Sequence, residues 1–241
     1  MAVDADSFAR ICDSLDRFVR ERLIPNEERV EAEDEVPPEI VDEMKALGIF
    51  GLSIPEAYGG LGLSLAQEAA VMQILGRTAA AFRSVAGTNI GIGSQGIVID
   101  GTEAQKAHYL PRLASGEIIA SFALTEPDAG SDAAALRTTA RREGDHYVLN
   151  GTKRYITNAP RAGLFTVMAR TGEAPGAAGI TAFLVPADSP GITLGTPDAK
   201  MGQRGTKTCD VIFENVRVPA EAIIGGVPGM GFKTAMKVLD R

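Results

Sequence analysis

The chain has 241 residues, 45% of them hydrophobic, with a formal net charge of -7 and a pI near 5.0. That length gives one large domain or two smaller ones with more than one core, and the acidic balance excludes a general nucleic-acid or anionic-membrane surface. The cysteines Cys12 and Cys209 and the histidines His108 and His146 fall at no metal-ligand spacing; no metal site is expected, and reduced thiols in a cytoplasmic protein are.

The start, Met1-Ala-Val-Asp-Ala-Asp, has no basic n-region and no apolar h-region, and no apolar run can span a bilayer. Residues 4–23 predict an amphipathic helix with Phe8, Ile11, Leu15, Phe18, Val19 and Leu23 on one stripe, ended by Pro25. Glu27 to Glu35 reads as an acidic, solvated loop. Pro37-Pro38 opens a second helix, with Gly48 as its C-terminal cap. Ile49 to Leu63 is a Gly-rich excursion, and Ser64 caps a third helix reaching about Gly76. Ala79 to Ile99 reads as one buried helix. It contains Gly91-Ile-Gly-Ser-Gln-Gly96, which matches GxGxxG. No strand precedes that run, and Asp100-Gly101 interrupts the helix a dinucleotide loop would need after it, so close packing is expected instead. Thr102 and Glu103 open a further helix that ends near Gly116.

The apolar period then shortens. Glu117–Leu124, Leu136–Arg142, His146–Leu149, Arg154–Thr157, Leu164–Ala169, Ile180–Val185, Ile192–Leu194 and Val211–Phe213 read as short strands. Turns at Glu143-Gly-Asp and Asn150-Gly151 separate some of them, and Gly172 to Gly179 reads as a loop. The expected fold class is α+β: a helix bundle over 1–116, then an antiparallel β-sandwich or barrel over 117–228. Over 229–241 the helical period returns, with Phe232, Ala235, Met236 and Leu239 on one stripe and no stop signal after it. A third, helical domain is expected to begin there and to continue beyond Arg241.

No nucleophile, acid/base or metal constellation is visible in the residues. One stretch stands out: Phe122-Ala123-Leu124-Thr125-Glu126-Pro127-Asp128-Ala129-Gly130-Ser131-Asp132. Thr125 closes a strand, Pro127 removes a backbone donor, and Gly130 permits a positive φ. The loop is either a capped structural turn or a nest whose N–H groups accept oxygens.

This stretch closely resembles the flavin-contacting signature of the acyl-CoA dehydrogenase family. Lys153-Arg-Tyr-Ile-Thr-Asn is similar to the family's second flavin strand. Lys200-Met-Gly-Gln-Arg-Gly-Thr-Lys-Thr-Cys-Asp-Val-Ile-Phe-Glu-Asn-Val-Arg-Val-Pro is similar to its substrate-side hairpin. The three occur in the family's order, and the tail from Gly229 looks most like the short-chain and branched-chain branch.

The resemblance implies FAD as cofactor. Phe122 to Ser131 would lie along the flavin ring, with the Thr125 amide and hydroxyl on its pyrimidine edge. Tyr155, where the family often has Trp, would pack on the ring beside Ile156, with the Thr157 hydroxyl near N5. The alternatives are a core aromatic and an ordinary strand residue. Ser131 would contact the acyl-CoA thioester or its pantetheine arm, and Asp240 and Arg241 would be substrate contacts. Arg204 and Lys207 read as solvated hairpin charges, with help to the CoA phosphates as the alternative. The implied reaction is α,β-dehydrogenation of an acyl-CoA, with hydride passing to flavin N5. The implied base is a glutamate of the C-terminal domain, so no catalytic residue is assigned in this chain. Electron-transfer flavoprotein as acceptor and a homotetramer, a dimer of dimers, are implied as partners. An oxidase or monooxygenase on the same scaffold stays open, as does a non-catalytic subunit completed by another chain.

Overall fold

A computed structural model describes residues 3–172 and 174–241; Met1, Ala2 and Glu173, the last in the predicted Gly172–Gly179 loop, lie outside that range. The N-terminal half is helical: α1 (Ala5–Phe18), α2 (Glu27–Glu33), α3 (Pro38–Ala46), α4 (Leu65–Leu75), α5 (Ala80–Ile90), α6 (Gln95–Asp100) and α7 (Glu103–Ala114). Capping boxes start α4 at Ser64 with Gln67 and α7 at Thr102 with Gln105. Each satisfies two of the N–H groups that a helix start leaves free.

Three helical expectations are corrected. Pro25 does not end the first helix. The chain widens to a π turn at Val19–Leu23 and tightens to a 3₁₀ turn at Ile24–Asn26, where proline's missing N–H is tolerated. The acidic segment after it is α2, not a loop. Arg29 pairs with both Glu33 and Glu39, and Val30 is buried. Ala79–Ile99 is two helices, because the chain must pass tightly over the first strand at Gly93. A Cβ there would lie 2.7 Å from both the Thr88 carbonyl oxygen and Ala120 Cβ. The glycines of this run serve close packing, as expected.

The strands are β1 (Ala120–Ala123), β2 (Thr139–Glu143), β3 (His146–Thr157), β4 (Leu164–Arg170), β5 (Ile180–Pro186), β6 (Ile192–Leu194) and β7 (Thr208–Pro219). They form one sheet in the order β1-β4-β2-β3-β7-β6, with β5 also paired to β4. Pairing is mostly antiparallel, but β1 runs parallel to β4. The tight turn after β1, at Pro127-Asp128 between Glu126 and Ala129, does not lead back into a partner strand; the long loop to β2 frees β1 to dock elsewhere. Asn150-Gly151 is not a hairpin turn. It lies inside the twelve-residue β3, opposite a bulge at Asn215, whose N–H donates to Asn150 Oδ1 at 2.9 Å. The strand read at Val211–Phe213 likewise extends over all of β7.

One face of β4 and β5 packs on helices through Leu164, Met168, Ala182 and Leu184. The other face, with Phe165 and Phe183, packs with residues of β2, β3 and β7, including Phe213 and Val216, and among the described residues no α-helix contributes. The sheet therefore curls round a core of its own. Tyr147 on β3 meets Phe183 on β5 across that core, ring centroids 5.2 Å apart.

The last helix, α8 (Gly231–Leu239), lies on β5 and α6. Thr234 Oγ1 donates to Asp100 at 2.7 Å, and Lys237 pairs with the same carboxylate. The two β-hairpin cations, Arg204 and Lys207, are partly solvated but also engaged by the protein. Arg204 Nε donates to the Glu31 carbonyl and Lys207 Nζ to Asp34, both at 2.6 Å. They tie the β7 hairpin to the end of α2. Among the described residues no helix is long and apolar enough to cross a membrane, and no group of acidic, histidine or cysteine side chains could hold a metal.

Candidate functional site

The site forms where β1, β3, α5 and α8 meet. β1 ends at Ala123, and the chain continues beside β3: the Arg154 N–H donates to the Thr125 carbonyl at 2.8 Å. Ser121 Oγ donates to the Thr157 carbonyl at 2.7 Å, fixing the far end of the same contact. A bulge in β3 lies between, because three steps from Lys153 to Ile156 match two on β7, from Val211 to Cys209. The extra residue re-aims the side chains, so Lys153 points inward while Tyr155 and Thr157 both reach one cavity.

Tyr155 sits at φ +57° and is 64% exposed. A bulky residue in the left-handed region costs about 1–3 kcal/mol, and such strain persists only where the surroundings impose it. This excludes the core-aromatic alternative. Arg154 lies within cation–π range, 5.9 Å from the ring centroid, and is held there by a bidentate pairing with Asp210.

Behind the wall lies a buried ion pair. Lys153 Nζ, fully buried, donates to Glu126 Oε1 at 2.8 Å and to the Leu124 carbonyl at 3.1 Å. Glu126 also accepts the backbone N–H groups of Arg137 (2.6 Å) and Thr138 (2.9 Å). The pair thus joins the β1 loop, β3 and the start of β2. Burial pushes Lys153 down to about 8 although Glu126 pulls it up. Burial would raise Glu126, but Lys153 and the two backbone donors hold it below its ordinary 4.5. Its contribution to stability is therefore complete above pH 4.5 and is lost as pH falls through the lowered value. Denaturant titrations across that window should show an acid limb that flattens in Glu126→Gln; an unaltered limb would mean other carboxylates dominate it.

The cavity holds about 550 Å³. Phe122, Leu124, Thr125, Gly130 and Ser131 line one side, with Tyr155, Ile156 and Thr157 on another. Asp132, Ala133 and Ala134 continue the first side, and Thr88 of α5, Ile92 just past its end, and Phe232, Met236 and Leu239 of α8 complete the cavity. Gly130 does not use the positive φ expected of it; its lack of a Cβ leaves open space, with no atom within 4 Å of the Cβ position. Among the described residues, the backbone N–H groups of Thr125, Gly130 and Ser131 have no acceptor within the chain. Polar donors at a largely apolar wall, with the Asp132 carboxylate at its rim, suit a planar group with acceptor atoms along one edge.

Five of the predicted flavin-binding residues are absent from the lining: Ala123, Glu126, Pro127, Asp128 and Ala129. Ala123 and Ala129 are buried in the two cores beside the sheet, and Asp128 is exposed, 3.7 Å from Arg137. Asp240 is exposed just past α8, and Arg241 pairs with Glu68 of α4; neither lines the cavity. Sequence reasoning misses Thr88, Ile92, the Asp132–Ala134 run and the α8 trio as wall residues. The trio is visible as part of an apolar stripe, but that stripe merges two faces of α8. Ala235 and Val238 are buried, while Phe232, Met236 and Leu239 face the cavity.

Asn158, also at positive φ, is a clamp: its Nδ2 donates to the Ser84 carbonyl at 2.8 Å and Thr88 Oγ1 at 3.0 Å. It docks α5 across from Thr157. The same two strand segments that carry the flavin-like motifs thus form adjoining walls.

Two family models cover most of the chain. The one described as acyl-CoA dehydrogenase, N-terminal domain, matches residues 6–117, and the one described as acyl-CoA dehydrogenase, middle domain, matches 121–216. The chain belongs to the acyl-CoA dehydrogenase family. The very long-chain specific mitochondrial acyl-CoA dehydrogenase of Macaca fascicularis is 46% identical over 204 residues, 82% of this chain and 31% of the relative. The human short-chain specific mitochondrial enzyme is 42% identical over 223 residues, 92% of this chain and 54% of the relative. Among solved structures, an acyl-CoA dehydrogenase from Bacillus anthracis complexed with FAD superimposes with a TM-score of 0.88 at 36% identity, covering 98% of this chain and 41% of that one. The chain therefore spans about half the length of the short-chain relative, and less of the other two. Acyl-CoA dehydrogenases of both chain-length classes match to a similar degree, so the short-chain look of the tail is not singled out.

Proposed function

We propose that this chain forms the flavin wall and part of the substrate cavity of an acyl-CoA dehydrogenase that converts an acyl-CoA thioester to its α,β-unsaturated product. The observation that carries this reading is the convergence of Thr125, Ser131, Tyr155 and Thr157, with three backbone N–H groups lacking protein acceptors, on one cavity. FAD fits that donor set. When bound, it would supply the two-electron acceptor for hydride from the β-carbon.

The residues of this chain bind and orient. The Thr125 and Thr157 hydroxyls and the free amides hold the acceptor edge of a heteroaromatic ring. The Tyr155 ring forms a fixed face against it. Ser131 and the bare backbone at Gly130 leave room for the thioester end of the substrate. Phe232, Met236 and Leu239 exclude water from the acyl chain beside it. The base that takes the α-proton is assigned to a carboxylate outside these 241 residues; such a group contributes about 10²–10⁴-fold. Glu126 is unsuited to that role, since its carboxylate is occupied by Lys153 and two backbone donors. Electron-transfer flavoprotein as acceptor and a dimer-of-dimers assembly belong to the same reading.

The whole protein is expected to purify yellow and to lose its flavin absorbance when an acyl-CoA is added without oxygen. A colourless, folded preparation that takes up no FAD would remove the reading. Fast reoxidation by air with substrate bound would instead indicate an oxidase on this scaffold.

A further inference from the structure

A second cavity, of about 620 Å³, opens off the first. The two share Thr88, Ile92 and Thr157. Its α5 side carries Arg83, Ser84 and two glycines, Gly87 and Gly91. The Arg83 guanidinium lies along the helix toward its C-terminal end: a Cβ at Gly87 would sit 3.6 Å from Arg83 Nη1. Among the described residues Arg83 has no ion-pair or hydrogen-bond partner. The opposite side carries Lys200, whose Nζ donates to the Thr206 carbonyl. Thr206 itself is 4% exposed, and its Oγ1 has no hydrogen-bond partner.

Among the described residues no carboxylate lines this cavity. Acids of the neighbouring segments are engaged elsewhere: Asp34 by Lys207 and the Gly205 N–H, and Asp198 by the Thr208 hydroxyl. An unpaired guanidinium and a lysine on one space that no carboxylate lines are complementary to an anion that bridges them. A carboxylate matches the planar fork of arginine.

We propose that this cavity receives the far end of an acyl chain that terminates in a carboxylate, so that the preferred substrate is a CoA thioester of a short dicarboxylic acid. The inference rests on the dehydrogenase reading above. In that reading Ser131 takes the thioester or pantetheine end, and Ser131 lines only the first cavity. The CoA arm therefore leaves on the Ser131 side. The acyl end points past Thr157 and Thr88, toward Arg83.

The test compares glutaryl-CoA with valeryl-CoA, which share a carbon count and differ in the terminal carboxylate, on the flavin-loaded holoenzyme without oxygen. The native protein should favour glutaryl-CoA in kcat/KM. Arg83→Met should lower that preference ~10–100-fold, mainly through KM, and Arg83→Lys should restore part of it. Arg83 is exposed, and the Tm of each variant checks that the fold is kept. Equal use of the two thioesters by the native protein, or an equal loss for both in Arg83→Met, overturns the proposal. So does an unchanged preference with weakened FAD retention, which would make the cations a phosphate anchor. Bleaching by valeryl-CoA alone removes this proposal and leaves the dehydrogenase reading standing; bleaching by neither removes both.

Discussion

Lys153→Met is expected to destabilise the protein by ~3–5 kcal/mol, read as a drop in denaturation midpoint at neutral pH. Methionine keeps much of the volume but removes the cation. The Glu126 carboxylate then stays buried with its two backbone donors and no countercharge, and the Leu124 carbonyl loses its partner. Breaking one side of a buried pair costs more than the pair contributes, because an uncompensated charge is left in a poor solvent. The double variant Lys153→Met with Glu126→Leu should therefore recover a large part of the loss. Flavin content should fall in the single variant, since Leu124 and Thr125 line the slot that the pair braces. A single-variant loss below about 1 kcal/mol, with no recovery in the double, would mean that Glu126 is solvated in the native state and the brace is dispensable.

Gly231→Ala is the second large effect. Gly231 opens α8 where the helix abuts β5, and an added Cβ would sit 2.3 Å from Ala182 N and 2.7 Å from Thr181 Cα. Those are backbone atoms of a hydrogen-bonded strand, and they cannot rotate away. Overpacking of this kind costs about 1–3 kcal/mol, and more where the backbone must shift. The helix should swing outward, carrying Phe232, Met236 and Leu239 off the cavity. Hydrogen exchange in β5 and α8 should rise, and acyl-CoA binding should weaken more than global stability does. Gly172→Ala is the control, because its Cβ position meets only Ala174 N, at 3.9 Å. If both variants melt alike and exchange alike, the close approach of α8 to β5 is not what fixes the cavity wall.

Much of this architecture is legible in residue order, and the exceptions have physical causes. The caps at Ser64 and Thr102 are legible because each pairs with a glutamine three residues on. α2 is not, since Val30 is the only buried residue in its seven and its order comes from tertiary salt bridges. β7 is half visible. Glu214 and Asn215 interrupt its alternation at a bulge, and a bulge breaks the period that identifies a strand. At the site, Thr125, Tyr155 and Thr157 are legible from motif order. The inward turn of Glu126 is not, because the partner that draws it in is Lys153, twenty-seven positions away. Arg83 is silent in the sequence for the same reason: a single arginine in an Ala/Gly-rich helix acquires meaning only when Lys200 and Thr206 stand opposite.

The clamps on α5 have a consequence for how such a protein can diversify. Asn158 binds the main-chain oxygens of Ser84 and Val85, and Asn89 binds those of Leu113 and Ile118 while accepting the Ala120 N–H. Apart from the Thr88 hydroxyl and Asn89 itself, the attachments are to atoms that every amino acid possesses. The helix is thus gripped in a way indifferent to most of its own side chains. Positions 83 and 87, where the side chain is exposed or an added Cβ meets only the Arg83 guanidinium, can be exchanged for new chemistry without loosening the grip, so substrate preference can drift while the flavin bed stays where it is.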